Sequence, residues 1–337
     1  RNYHTFTMNF CYQRLILSKS NLLKPLSLFE GYCSIKSNVC AKQFSTSRIN
    51  KMKFVQFQKN DNCQVRSGVK KDDGTIVEIL LRGKPTSMLS LLGSGELNKL
   101  DFINCRLKES GVNESDVTLL PPITKPDKVI CIGLNYKSHC DEQGVEPPDN
   151  PMFFSKFSST IIGYQDNVEY PPITKELDWE VELCVVIGKT AKCIRKEEAF
   201  DHVFGYCVAQ DISARDWQKR LNGKQFLLGK SMDTFCPLGP AIVHKSVVKD
   251  PNNLKIKCWV NGDIKQNGNT KELIFKIDEC ISRLSHCFTL YPGDIILTGT
   301  PSGVGMSRTP PQWLKPGDVI ESEIEGLGKM TNHVVCA

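Results

Sequence analysis

No run in this sequence approaches the ~18 to 20 consecutive apolar residues of a membrane helix. LCVVIG at 183–188 and DIILTG at 294–299 have the length of buried strands, so a soluble protein with no membrane partner is expected. No two of the 15 cysteines stand at CxxC spacing, which removes the common zinc and thioredoxin-like motifs. Their number is odd and the chain is not small, so reduced thiols fit better than a secreted disulfide framework. Cys131, Cys184, Cys207 and Cys258 lie in apolar strand-like runs, where a reduced cysteine acts as a small hydrophobe. There is no G-x-G-x-x-G after a strand and no strand–helix alternation, so a dinucleotide-binding domain is not expected. No internal repeat is found.

An excess of one charge is also missing from most of the chain. Residues 1–50 carry seven Lys or Arg and a single acid, Glu30, which accounts for the whole net charge of +6. Removing these from the totals of 43 basic and 37 acidic residues leaves 36 of each in 51–337. A basic body would have pointed to nucleic acid; a balanced one does not. The first 50 residues are Arg-containing, Ser-rich and acid-poor, the composition of a mitochondrial transit peptide. A disordered leader is the plainer alternative. FSTSRINKM at 44–52 reads as the end of that segment, with the folded chain starting near Met52. Position 1 is Arg, which leaves Met8 as a candidate initiator.

At 337 residues the chain has room for about two domains. Residues 52–120 are weakly patterned and read as a small N-terminal domain with a helix through 88–110. PPITKPDKV at 121–129 is a Pro-rich boundary, and 121–337 form the larger domain. There, short apolar strands alternate with turns, and Asn261-Gly262 marks a hairpin. Helices are expected only at about 197–204, 213–221 and 272–287, the last amphipathic through Ile274, Ile277, Ile281 and Leu284. The fold class is α+β, strand-rich, with antiparallel and mixed sheets.

In DWEVELCVVIG (178–188) strand alternation puts Glu180 and Glu182 on one face with Cys184 and Val186. Trp179, Val181, Leu183 and Val185 share the other. Two carboxylates about 7 Å apart on a strand that runs into a core repel and lose solvation. A hard dication with oxygen ligands offsets that cost; an exposed strand start with solvated glutamates is the competing reading. Asp211 sits at the end of another apolar strand, before a short helix with Ser213 as its N-cap. An N-cap role for Asp211 itself competes with a ligand role. Arg215 and Gln218, at i+4 and i+7, fall on one helical face and can reach a substrate carboxylate and carbonyl. Lys230 follows LLG; a solvated surface lysine is its plainer reading. LTGTPSGVG (297–305) offers backbone N–H groups suited to cradling a carboxylate, or is a plain turn. His139 and Glu142 stand three apart and on a helical turn would meet as an acid/base dyad; an ordinary loop histidine is the plainer reading.

DWEVEL, QDISARDWQ, LLGKSMDTFCPLGP and LTGTPSGVG, in that order, resemble the fumarylacetoacetate hydrolase family from about residue 121 to the C-terminus. The nearest resemblance is to a mitochondrial branch of it. The resemblance implies a mixed β-sandwich or β-roll catalytic domain with few helices, working as a homodimer in the mitochondrial matrix. It implies Glu180, Glu182 and Asp211 as ligands of Mg²⁺, with Mn²⁺ or Ca²⁺ as alternatives. It makes Lys230 an active-site lysine, places Arg215 and Gln218 in the substrate pocket, and has Thr300 contacting substrate. Relatives with acylpyruvate hydrolase activity carry His and Glu at the His139–Glu142 spacing in a lid. The extra aspartate ligand and distant glutamate of the larger hydrolases cannot be placed in this sequence.

A 2-oxo acid chelating the ion through its carboxylate and keto oxygens reaches an enolate, whose fate the neighbouring groups decide. The resemblance ranks oxaloacetate keto–enol tautomerisation first. Acylpyruvate hydrolysis or oxaloacetate decarboxylation follows, and a metal-binding pseudoenzyme comes last.

Overall fold

The computed structural model describes residues 52–99 and 108–337. The expected leader and part of the expected helix over 88–110 lie outside these residues. Among them the architecture is strand-rich. Strands β1 (Lys53–Lys59), β2 (Asn62–Lys70), β3 (Thr75–Ile79), β4 (Val112–Asn113) and β5 (Val117–Leu120) come first. Then follow β6 (Val129–Gly133), β7 (Met152–Lys156), β8 (Ile161–Ile162), β9 (Val168–Tyr170) and β10 (Leu177–Asp178). The middle of the chain supplies β11 (Val181–Ile187), β12 (Val203–Gln210), β13 (Ser213–Ala214) and β14 (Cys236–His244). The last are β15 (Lys255–Val260), β16 (Asp263–Asn269), β17 (Ile295–Leu297), β18 (Val319–Ile324) and β19 (Gly328–Cys336). The α-helices are short: α1 (Met88–Gly93), α2 (Lys137–Gln143), α3 (Phe226–Lys230) and α4 (Ile277–Cys287).

One large mixed sheet runs β4-β3-β2-β1-β14-β12-β11-β17-β6-β7, with β5 on β1 and β8 on β14. The strands before Pro121 therefore join the same sheet as the later ones, through β1 and β14. A second sheet runs β16-β15-β18-β19-β9, and β10 pairs with β13. The Asn261-Gly262 hairpin is present: both residues have left-handed φ, 54° and 82°, and Val260 faces Asp263 across the turn.

The expected face alternation of β11 holds. Val181, Leu183, Val185 and Ile187 belong to one buried cluster, Cys184 and Val186 to another across the sheet. Every residue of β11 is buried, each large aliphatic contributing ~1.5–3 kcal/mol. The strand thus carries Glu182, with Glu180 just ahead of it, into the interior.

Helix boundaries were less legible. The helix expected from 88 stops at Gly93, and Gly95 turns left-handed at φ 73°. The helix expected from 272 starts at Ile277, because Asn135 captures the preceding backbone. Ile274 N donates to Asn135 O and Phe275 N to Asn135 Oδ1, both at 2.8 Å.

Candidate metal centre

The antiparallel pairing of β11 with β12 sets Val181 opposite Gln210. The residues just beyond that pair, Glu180 and Asp211, are therefore neighbours, and Asp211 N donates to Glu180 O at 2.9 Å. Glu182 lies two residues further along β11. One carboxylate oxygen from each of Glu180, Glu182 and Asp211 lies within 4.8 Å of the others, and all three side chains are buried.

Counter-charges are distributed unequally around them. Lys230, 1% exposed at the end of α3, donates to Glu180 Oε2 and Asp211 Oδ2, each at 2.6 Å. Lys156, from β7, donates to Asp211 Oδ1 at 2.7 Å and to Ile212 O at 3.2 Å. Arg215 Nη2 lies 2.7 Å from Glu180 Oε1, an ion pair rather than an aligned hydrogen bond. Its Nε donates to Asp178 Oδ2 at 2.8 Å and its Nη1 to Gln218 Oε1 at 3.0 Å. Glu180 and Asp211 thus have two cations each. Among the described residues Glu182 has no ion-pair partner, and it accepts the Gly299 N–H at 2.6 Å.

The titrations follow from this arrangement. Burial would raise the Glu180 carboxyl, but Arg215 and Lys230 overcome it and hold it well below the usual range. Burial, with Asp211 and Glu180 alongside, pushes Glu182 well above that range. Burial would lower Lys230, yet Asp211 and Glu180 raise it, so it stays an ammonium. A buried carboxylate facing two others without a counter-ion leaves a place that an oxygen-ligated dication fills. The donor set therefore fits Mg²⁺ or a close analogue.

His139 and Glu142 meet on α2 as their spacing predicts. His139 Nδ1 is 2.6 Å from Glu142 Oε1, and Gln143 Nε2 is 2.8 Å from His139 Nε2. Only a donor can come from the Gln143 amide nitrogen, so Nε2 is the lone-pair side and Nδ1 carries the hydrogen to Glu142. His139 lines the same cavity as the three carboxylates, together with Arg215, Gln218, Lys230 and Thr300.

Some local expectations need correcting. Ser213 does not cap a helix: it lies in β13 and its hydroxyl donates to Asp211 O at 2.8 Å. Arg215 and Gln218 do come together, but across the entry to a π-helical turn (Trp217–Leu221) rather than along the helix expected over 213–221. The N–H groups of the 297–305 turn cradle carboxylates of the protein itself. Gly299 N serves Glu182, Gly303 N serves Glu142 at 2.7 Å, and Gly305 N serves Asp178 at 2.7 Å. Gly303, at φ 105°, has no room for a side chain, since a Cβ there would stand 2.0 Å from Lys265 O. The Thr300 hydroxyl donates to Val181 O and accepts from Gln266 Nε2.

Sequence reading missed Lys156 and Asp178. Lys156 shares a strand face with Met152 and Phe154, which line the cavity, and a lysine in that alternation was the available signal. Asp178 was visible in DWEVEL two residues ahead of Glu180, but it lies in β10, before β11 begins, so the alternation of β11 does not place it. Its carboxylate, fully buried, ties Arg215 to the backbone of Trp179, Gly305 and Met306.

Residues 128–335 match the family described as fumarylacetoacetate (FAA) hydrolase, C-terminal. The chain belongs to the fumarylacetoacetate hydrolase family. All nine residues singled out from the sequence fall within the matched segment. Among curated members, the chain is 48% identical over 299 residues to "Oxaloacetate tautomerase fahd2, mitochondrial" of Xenopus laevis, covering 87% of this chain and 93% of that one. Among solved structures it resembles fumarylacetoacetate hydrolase from Exiguobacterium antarcticum, with a TM-score of 0.75 and 36% identity. That alignment covers 85% of this chain and all of the other. It is also similar, at 32% identity and TM-score 0.70, to maleylpyruvate hydrolase from Sphingobium sp. SYK-6, solved with manganese(II) and pyruvate. Here 85% of this chain and 100% of that chain are covered. The family assignment bears out the strand-rich fold with few helices. Together with the carboxylate cluster, the manganese-holding neighbour supports a divalent metal and a small-molecule substrate.

Proposed function

We propose that this protein is a Mg²⁺-dependent enzyme acting on 2-oxo acids, and that its reaction is the keto–enol tautomerisation of oxaloacetate in mitochondria. The observation that carries the reading is Glu182, a buried carboxylate with no cation beside two that are paired. Glu180, Glu182 and Asp211 would hold the ion, which would supply Lewis-acid stabilisation of negative charge developing on the substrate.

Proton transfer falls to His139, which lines the cavity with the three carboxylates and is held on its Nδ1 side by Glu142. Tautomerisation moves one proton between the C2 oxygen and C3, so a single base that takes and returns it is enough. Lys230 stays cationic between Glu180 and Asp211 and supplies positive charge rather than a base. Arg215 and Gln218 fix the wall of the pocket, and Thr300 holds the turn that carries Gly299.

The mitochondrial name of the Xenopus relative and the composition of residues 1–50 support delivery by a cleaved leader. Residues 52–120 then form a small N-terminal region whose strands join the large sheet, and 121–337 the catalytic part. A homodimer is part of the same reading. Phe157 and Phe288 are exposed around a groove beside the open edge of β7, a surface that favours association.

Purified protein with Mg²⁺ is expected to accelerate the decay of enol-oxaloacetate absorbance, and His139→Ala to slow it about 10²-fold or more. Unchanged decay with the wild-type protein sinks the tautomerase reading. The His139–Glu142 geometry also suits activation of water, which is the specific support for acylpyruvate hydrolysis. Pyruvate release from acetylpyruvate, lost in His139→Ala, favours that second reading.

A further inference from the structure

Three cationic side chains line the cavity: Arg215, Lys219 and Lys230. Two of them are committed. Arg215 serves Asp178, Glu180 and Gln218, and Lys230 serves Glu180 and Asp211. Lys219, in the π-helical turn directly after Gln218, has no hydrogen-bond or ion-pair partner among the described residues. It is half-buried, whereas its neighbour Arg220 points outward to an ion pair with Glu176 at 2.7 Å. The surroundings of Lys219 are hostile to a cation. Burial, then Arg215, then Lys230 lower its pKa, and only Glu180 acts in its favour.

A lysine on an open surface needs no partner, but one that lines a cavity with two other cations does. The charges lining the cavity indicate what that partner is. Three carboxylates (Glu180, Glu182, Asp211) balance the three cations. A bound dication then leaves two positive charges, and a monocarboxylate supplies one negative charge while a dicarboxylate supplies two. Beyond the polar groups, the remaining wall is apolar, with Met152, Phe154 and Phe226. No other free cation among the described lining residues can meet a second carboxylate.

We infer that Lys219 receives the distal carboxylate of the substrate, so that the site selects a short dicarboxylic 2-oxo acid over its monocarboxylic counterpart. This rests on the reading above that a 2-oxo acid fills the cavity. It assigns Lys219 a specificity role, with no part in the proton transfer.

The test uses Mg²⁺-loaded wild-type protein, Lys219→Met and Lys219→Arg. Oxalate, which mimics only the head of the substrate, is titrated by calorimetry. Oxaloacetate and pyruvate are then compared for their ability to displace it, and KM and kcat are measured for enol-oxaloacetate. In Lys219→Met, KM for oxaloacetate and its displacing concentration should rise about 10-fold or more. The Kd of oxalate, the displacement by pyruvate and kcat should change by less than about threefold. Lys219→Arg should recover most of the loss, which a merely structural role of the side chain would not predict. Oxaloacetate and pyruvate weakening equally, or neither changing, overturns the inference. Retained oxalate binding shows that Lys219→Met is folded, and Lys219→Arg carries the test if it is not. If wild-type protein binds these acids without turning over oxaloacetate, the tautomerase reading fails alone. The preference for oxaloacetate over pyruvate, present in wild type and lost in Lys219→Met, then still upholds the role of Lys219, and its absence in wild type overturns it.

Discussion

Glu182→Gln is expected to leave the metal-free protein as stable as wild type while removing its response to Mg²⁺. In the ion-free fold burial, with Asp211 and Glu180 alongside, pushes the Glu182 carboxyl up and favours its protonated form. Glutamine reproduces the shape and neutrality of that state, and its amide oxygen can still accept the Gly299 N–H. The isosteric change therefore costs little before the ion arrives. Wild-type protein at about 100-fold excess of Mg²⁺ over its Kd gains ~2.7 kcal/mol, or a few degrees in Tm. The variant should gain almost none of this. Enol-oxaloacetate turnover should drop on the order of 10³-fold, because the lost ligand oxygen supports charge that develops only during reaction. Thermal melts with and without Mg²⁺ check the first half and initial rates the second. A variant whose Tm still climbs with Mg²⁺ would remove Glu182 from the ligand set.

Lys230→Met should act in the opposite order, damaging the fold first. Methionine fills a similar volume but leaves Glu180 Oε2 and Asp211 Oδ2 without the ammonium that now sits 2.6 Å from each. Both carboxylates are buried. Removing one partner from a buried ion network costs ~3–5 kcal/mol, because the remaining charges stay desolvated. Arg215 and Lys156 keep part of the compensation, which places the expected loss towards the lower end. Mg²⁺ should restore some of it, since a dication among the three carboxylates replaces the missing positive charge. Urea unfolding with and without Mg²⁺ measures both effects. A loss under about 1 kcal/mol would mean that the ammonium is not the counter-charge of the pair.

What the sequence made legible was alternation. Glu180 and Glu182 share a face because strand periodicity is two, and the apolar residues after them announce a buried strand. Asp211 could be found because it ends a second apolar strand. The pairing of β11 with β12, which brings Asp211 beside Glu180, is a long-range register that no local pattern reports. Lys156 went unnoticed for the same reason: it comes from the edge strand β7, more than fifty residues from Asp211 in sequence. The segment at 297–305 reads from the sequence as a carboxylate cradle or a plain turn, and its N–H groups hold Glu182, Glu142 and Asp178, a set of partners that no local pattern reports. The start of the last helix was missed because Asn135, distant in sequence, takes the backbone N–H groups of 274 and 275 with its carbonyl and its side chain.

The metal centre makes a definite statement about protons. A carboxyl whose pKa is raised in the folded protein contributes stability that is complete below its unfolded value, ~4.3 for glutamate. That contribution is lost as pH rises through the raised folded value. An ion can be coordinated only by the carboxylate, so binding must expel the proton of Glu182, and affinity must fall as pH is lowered below that value. The most direct measurement is a calorimetric titration of ion-free protein with Mg²⁺ near neutral pH, repeated in two buffers of different ionisation enthalpy. Wild-type protein should release protons as the ion binds, and Glu182→Gln should release none. Mg²⁺ binding with no dependence on the buffer, or no Mg²⁺ binding at all, would contradict a metal centre built on Glu180, Glu182 and Asp211.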